Sequence, residues 1–345
     1  MGIALQTMTN ELTHVFLLSV GAFLLAMFLT PIYTFFAYRY RFWKRQRSES
    51  TDGKKLKIFA KFQAAKLRRN IPTMAGVIGV ISIFVVTIFF NLDRAQTWLP
   101  LAALVGGGIV GLIDDIINLR GLGGGAAGLR SPVKFALITL IGVVLGWFFF
   151  VKLGVASFHV PFVGEVSIGW LIVPLFAFAV VATGNAVNIS DGMDGLAGGL
   201  LSASFGAFGV IALLQQHVIL AGFCFTVVGV LLSYLWFNIY PARFFMGDVG
   251  SFAYGACLGV VAMLTDSLLL LPVIGLLFVI EAGSSLTQIV SKKLFKRKIF
   301  LSAPIHHHLE AIGWPETKVT MRFWVIGCVM AFIGVMLALA GGHIA

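Results

Sequence analysis

A helix needs about 20 apolar residues to cross the hydrocarbon core of a bilayer, and this chain offers about ten such stretches. They run at 14–38, 72–91, 99–117, 134–151, 168–186, 195–214, 218–237, 249–265, 268–290 and 322–341. Repetition on that scale leaves few folds open, because a backbone in lipid must satisfy its polar groups internally and does so as helices. Only 11% of residues are charged against 59% hydrophobic, far from the make-up of a soluble domain. The expected architecture is an all-α integral membrane protein of about ten transmembrane helices, a single polytopic domain over residues 1–345. Gly106-Gly107-Gly108 and Gly198-Gly199 fall inside two of the spans; such glycines lower helix propensity but permit close helix packing. The first thirteen residues hold no Lys or Arg, so the first apolar run lacks the basic start of a cleavable signal and is expected to be retained.

If the spans alternate in direction, the segments on one side are 39–71, 118–133, 187–194, 238–248 and 291–321 with their immediate flanks. Of the 25 Lys and Arg, all but Arg94 and Lys152 lie there. The positive-inside rule makes that side cytoplasmic and turns both termini outward, as in a multi-pass protein of the bacterial inner membrane. The net charge of +11 therefore follows topology and contact with anionic membrane lipid, and no nucleic-acid partner is expected. On the opposite side, F-H-V-P-F-V-G-E-V-S-I at 158–168 alternates around Pro161 and Gly164, the pattern of a short outer β-hairpin. His159 in that hairpin is read as a surface residue with no special role. Cys224, Cys257 and Cys328 fall inside apolar runs and are read as small buried hydrophobes, neither a disulfide framework nor a metal site.

The polar residues between the spans are fewer and more telling. The stretch N-A-V-N-I-S-D-G-M-D-G-L at 185–196 sets two carboxylates and two amides between hydrophobic spans. An ionisable group within the membrane region is disfavoured by roughly 2.5–3.5 kcal/mol even on lenient scales. D-G pairs alone make turns, but the arrangement recurs: Asp114, Asp115, Asp191, Asp194 and Asp248 all sit near an inner span boundary. Asn185, Asn188, Asn238, Thr73, Ser251 and His306-His307-His308 accompany them, with Arg68, Arg69 and Lys134 as cations. Carboxylates beside cations at a lipid surface suit chemistry on a phosphate ester held by Mg²⁺, a hard ion that takes one or two carboxylates plus substrate phosphates. Gly247-Asp248-Val249-Gly250-Ser251 opens the eighth span, where free backbone N–H groups would suit an anionic phosphate. The three histidines are adjacent, so on a helix they point in different directions and do not form a zinc site together; donor contacts to phosphate or sugar fit better.

Taken together, P-T-M-A-G at 72–76, Asp114-Asp115, N-A-V-N-I-S-D-G-M-D-G-L-A at 185–197, W-F-N-I-Y-P-A at 236–242, F-M-G-D-V-G-S at 245–251, A-P-I-H-H-H-L-E at 303–310 and G-W-P-E at 313–316 closely resemble the phospho-N-acetylmuramoyl-pentapeptide transferases. These are a branch of the polyprenyl-phosphate N-acetylhexosamine-1-phosphate transferases, and the histidine block is the feature that separates the branch from siblings using other UDP-sugars. The resemblance implies a cytoplasmic-face active-site cleft and Mg²⁺ dependence. It also implies transfer of phospho-N-acetylmuramoyl-pentapeptide from its UDP carrier to undecaprenyl phosphate, giving lipid I and UMP, and a homodimer. Carried over by position, Asp248 would hold the metal and Asp114 and Asp115 would be the catalytic pair. Arg68, Thr73, Asn185, Asn188, Asp191, Asp194, Asn238, Phe245 and Gln288 would bind substrate with His306, His307 and His308, Phe245 offering an aromatic face to uracil.

Several positions depart from that pattern. Arg68 stands where the family usually has Lys, Asn70-Ile71 replaces Gly-Thr, Ala75 replaces Gly, and Asn118 replaces the lysine of D-D-x-x-K. The last change leaves open a shifted cation, such as Arg120 or Lys134, or a divergent and slower enzyme. A transporter would also bury polar groups, but with inverted repeats and acids near the midplane; here the acids lie at helix ends.

Overall fold

The computed structural model describes residues 2–43, 70–122 and 128–342. Its helices are α1 (Gly2–Arg39), α2 (Gly76–Phe90), α3 (Trp98–Arg120), α4 (Ser131–Lys152), α5 (Ile172–Ser190), α6 (Leu196–Leu214), α7 (Val218–Asn238), α8 (Gly247–Leu264), the short α9 (Leu271–Ile274), α10 (Leu276–Leu294), the short α11 (Ile305–Ala311) and α12 (Glu316–Ala340). Between α4 and α5 lies a hairpin of β1 (Ser157–Val160) and β2 (Gly164–Ser167). Its antiparallel register pairs His159 with Glu165, and Phe162 and Gly164 turn the chain with positive φ.

Among the described residues eight helices are long and apolar enough to cross a membrane, and a ninth span results if α9 and α10 count as one. The helix α2, with 15 residues, is shorter. The ten apolar stretches of the sequence thus each become helix, but the ninth is not straight. It bends by 81° between Ile274 and Leu276, where Gly275, the poorest helix former after proline, follows Pro272 in the first turn of α9.

The core is arranged around α8, of whose most apolar stretch 94% is buried inside the protein, against 28% for α1, α4 and α12. Those peripheral helices point Phe16, Phe28, Phe135, Trp147, Val325 and Phe332 outward, as helices facing lipid must. Cys224 and Cys257 are buried as expected, but Cys328 is exposed on the outer face of α12. An apolar run alone does not separate the lipid-facing side of a helix from the packed one.

Packing against α8 is made close by small residues. Gly107 and Gly111 of α3 lie against the backbone of α8 at Phe252 and Asp248, a Cβ on Gly107 coming within 2.6 Å of the Phe252 carbonyl oxygen. On the opposite side Gly255 of α8 meets Gly184 of α5. Backbone contact of this kind replaces the hydrophobic driving force that helices lack in lipid.

Cross-links sort the connections into two ends. At one end Asn91 Nδ2 donates to the Ile219 carbonyl at 2.9 Å, Leu220 N–H to Gln96 at 2.9 Å, and Gln215 to the Thr265 carbonyl at 2.9 Å. The hairpin joins this end, where Phe162 N–H reaches the Gly341 carbonyl at the end of α12 at 3.2 Å. At the other end Thr73 N–H donates to Phe42 and Phe245 N–H to Pro72, both at 2.8 Å. The described Lys and Arg gather at this second end, apart from Arg94 and Lys152.

The close approach of α3 and α8 yields a stability test. Gly111→Val should force the two backbones apart and cost about 1–3 kcal/mol by overpacking. Gly206→Ala on α6, where a Cβ meets nothing within 4 Å, should be neutral or gain up to ~1 kcal/mol of helix propensity. Thermal unfolding in detergent should rank Gly206→Ala at or above wild type and Gly111→Val well below it.

Candidate active site

At the basic end, the last turns of α3, the first turn of α4 and the start of α8 converge. The Lys134 ammonium lies 3.0 Å from Asp114 Oδ2 and 2.8 Å from Asp248 Oδ2, over the Phe252 ring at 5.2 Å from its centre. The other Asp114 oxygen accepts the Leu129 N–H at 2.6 Å. Asp115, the next residue of α3, accepts the Val249 N–H at 3.1 Å. It therefore caps α8, a role in which a carboxylate satisfies an orphan donor and meets the positive end of the helix dipole. The phosphate expected at the start of α8 meets this competitor: one of the N–H groups that would receive it already belongs to Asp115.

Three carboxylates, one ammonium and little exposure define the cluster: Asp114, Asp115 and Asp248 are all buried. The shifted cation left open by the sequence is Lys134. Arg120 is exposed at the end of α3, and Asn118 is buried. Gly247 permits the arrangement. Its φ of +73 is the left-handed region, and a Cβ there would sit 2.5 Å from Asp115 Oδ2 and 2.8 Å from Thr73 Oγ1, so backbone and carboxylate approach as only glycine allows. Thr73 is buried, its carbonyl accepting the Tyr33 hydroxyl.

Asn188 joins the cluster from α5 by donating to Ser251 Oγ at 2.8 Å, and the half-buried Asp191 ends α5. Asn185, one turn earlier, bonds its own helix at Val181. Phe245 is half-buried, its main chain tied to Pro72 and Ala75. Arg68 lies outside the described residues.

Other carried-over residues bond the backbone of neighbouring loops. Asn238 Oδ1 accepts the Gly195 N–H at 2.9 Å, while its Nδ2 donates to the Phe244 carbonyl at 2.8 Å. Asp194 Oδ2 accepts the Ala242 N–H at 3.0 Å. The same loop is held from α12, where Glu316 accepts the Asp194 N–H at 2.7 Å and Trp324 donates to the Gly195 carbonyl at 3.1 Å. Gln288 accepts the N–H groups of Ile299 and Phe300 and donates to the Phe300 carbonyl at 2.8 Å, closing the turn after α10.

The His306 and His307 rings lie 4.2 Å apart at the centroids, but the three histidines bond different partners. His306 is fully buried, its Nδ1 2.7 Å from Glu281 Oε2 and its ring against Gly192. His307 bonds Glu310 at 2.7 Å, and His308 accepts the Leu301 N–H at 3.3 Å. Glu281 was missed by the sequence reading, although a lone acid within an apolar run is itself a signal of a polar partner.

A family model described as Glycosyl transferase family 4 matches residues 97–266, which hold Asp114, Asp115, Lys134 and Asp248. Longer matches extend over the histidine run. The phospho-N-acetylmuramoyl-pentapeptide-transferase of Chloroflexus aggregans is 37% identical over 99% of this chain and 94% of its own length. The one of Chloroflexus aurantiacus is 38% identical over the same shares. That of Geobacillus thermodenitrificans is 36% identical over 91% of this chain and 94% of its own length.

The role of Asp194 in holding the 239–246 loop can be measured. Asp194→Ala should leave the Ala242 N–H without its buried acceptor, at a cost of about 1–3 kcal/mol, whereas Asp194→Asn keeps an acceptor oxygen and should lose less. Unfolding midpoints in detergent should fall in that order, and a wild-type midpoint for Asp194→Ala would remove this bond from the loop's support.

Proposed function

The chain belongs to the phospho-N-acetylmuramoyl-pentapeptide-transferase family, and from that premise we propose that it transfers phospho-N-acetylmuramoyl-pentapeptide from its UDP carrier to undecaprenyl phosphate, giving lipid I and UMP. The observation that carries this reading is the group of three buried carboxylates, two of them paired with Lys134 and the third capping α8 beside it, at the membrane-boundary end where the base also gathers. A sibling using another UDP-sugar is not favoured, because the full-length relatives carry the muramoyl-pentapeptide name.

In the proposed reaction an oxygen of the lipid phosphate attacks the sugar-bearing β-phosphorus, and the bond to the bridging oxygen breaks as UMP leaves with the electron pair. A phosphate monoester has a second pKa of about 6, so at neutral pH much of the acceptor is already dianionic. Asp114 then orients the acceptor site and has little proton to remove. Leu129 N–H and Lys134 hold its two oxygens in place. Lys134 supplies the positive charge that the departure at Asn118 removed, and it can turn from the carboxylates to a phosphate oxygen. His306, positioned by Glu281 against Gly192, borders the Asp191–Asp194 loop, and we assign this side, with the neighbouring His307 and His308, to the sugar nucleotide, with Phe245 toward uracil.

The donor set fits Mg²⁺. Three carboxylates against one ammonium leave two negative charges to balance, and the donors are hard oxygens of the kind this ion selects. We assign Asp248 to hold it, with Asp114 and Asp115 beside it. When bound, Mg²⁺ supplies charge neutralisation at the phosphate oxygens. The placement of base supports a bacterial inner-membrane protein with the site cytoplasmic and both termini outward; a homodimer completes the proposal on family grounds.

Asp248→Asn should lower UMP release from UDP-N-acetylmuramoyl-pentapeptide and undecaprenyl phosphate by about 10²-fold or more with an unchanged unfolding midpoint. Near-normal release would overturn the assignment. For orientation, single cysteines at Val163 and Lys296, both exposed, in a background without Cys224, Cys257 and Cys328 should label differently in intact cells. An impermeant thiol reagent should reach Val163→Cys from outside and Lys296→Cys only after permeabilisation, and the reverse would invert the topology.

A further inference from the structure

The first turns of α12 carry two cations that the carboxylate cluster does not use. Trp314, in the turn between α11 and α12, is half-buried, and its main-chain N–H donates to the Leu309 carbonyl at 3.0 Å. The Lys318 ammonium lies 4.6 Å and the Arg322 guanidinium 4.7 Å from the centre of that one indole ring. Both cations are exposed, and among the described residues neither has a carboxylate partner. Glu316, the acid of the same turn, accepts the Asp194 N–H at 2.7 Å.

Lys318 and Arg322 are four residues apart on the helix, where like charges repel. The indole attracts each of them, which gathers both charges at one ring but neutralises neither. An anion bridging the two would. Their position says which anion. At about 100° per residue, Lys318, Arg322, Val325, Val329, Phe332 and Met336 share one stripe of α12, and all are exposed. From Val325 to Met336 the apolar part runs about 16 Å along the axis, the depth of one leaflet of a hydrocarbon core about 30 Å thick. The stripe then turns basic beside a tryptophan, which is the composition of a helix face at headgroup level.

We propose that Trp314, Lys318 and Arg322 form a binding site for the phosphodiester headgroup of an anionic phospholipid, with an acyl chain lying along Val325, Val329, Phe332 and Met336. The guanidinium offers paired N–H donors to phosphate oxygens and the ammonium a point charge, and basic pockets at a membrane boundary hold anionic headgroups in this way. The site is apart from the transfer chemistry. The helix α12 packs chiefly against α6, whereas the carboxylate cluster is built from α3, α4 and α8, so the ligand is not the acceptor lipid and the proposal does not rest on the reaction. A seated phospholipid would brace the helix whose Glu316 and Trp324 hold the Asp194-Gly195 turn.

The test uses delipidated full-length protein in detergent, titrated with phosphatidylglycerol or phosphatidylcholine, with bound lipids counted by native mass spectrometry. Wild type should prefer phosphatidylglycerol by about 25-fold, and Lys318→Gln and Arg322→Gln should each remove about fivefold of that preference. The double variant should lose it, and phosphatidylglycerol should raise the unfolding midpoint of wild type but not of the double variant. Each single variant keeps the test readable should the double variant fail to fold. Lys293→Gln with Lys298→Gln, which removes two exposed charges at the end of α10 and in the loop after it, should leave the preference intact. Inorganic phosphate at the lipid's concentration should not displace it. Equal affinity for the two lipids in wild type would overturn the proposal. So would an equal fall in both double variants, the mark of general surface charge, or displacement by inorganic phosphate. Lipid carried by monomers but not by dimers would place a second copy on this face instead.

Discussion

The Lys134 ammonium between Asp114 and Asp248 is the interaction on which the rest of this end of the molecule depends. Carboxylates at the boundary of a membrane bundle are costly unless each charge has a partner, and here the partners come from three segments. Leu129 before α4 and Val249 in α8 donate backbone N–H groups to Asp114 and Asp115, and α4 brings the lysine. The arrangement is possible because Gly107 and Gly111 let α3 touch the α8 backbone. Larger side chains there would separate the carboxylates from the cap and the cation that stabilise them.

Around this cluster lies a layer of polar residues that support loops. Asn238, Asp194 and Gln288 each bond backbone groups of a connecting segment, and α12 reaches back through Glu316 and Trp324 to the Asp194-Gly195 turn. The string of amides and acids picked out in the sequence therefore mixes residues that face the site with residues that shape it. In a membrane boundary this division has a physical cause. Loop carbonyls and N–H groups near lipid need partners, and side-chain amides supply both a donor and an acceptor.

The two ends of the bundle are chemically unlike. One gathers base, buried acids and the histidine helix; the other carries the hairpin, few cations and His159, which bonds Asp266, Glu165 and Gly341. The bend at Gly275 directs α10 away from the straight course of its neighbours and sets Glu281 where His306 can meet it.

Much of this was legible in the sequence. Hydropathy placed all ten helical stretches, because the bilayer imposes a length and a polarity on each. The hairpin was legible from alternation around Pro161 and Gly164, and the parity of the spans put Asp114, Asp115, Asp191, Asp194 and Asp248 at one end. What spacing does not carry is the rotation of one helix against another. The tertiary structure alone decided that Lys134 is the cation beside Asp114, that Asp115 caps α8, that Asn118 is buried, that Cys328 faces outward and that His159 links three segments. Those facts depend on which faces meet and how closely small residues let them approach, whereas a linear sequence determines only which residues are close along the chain.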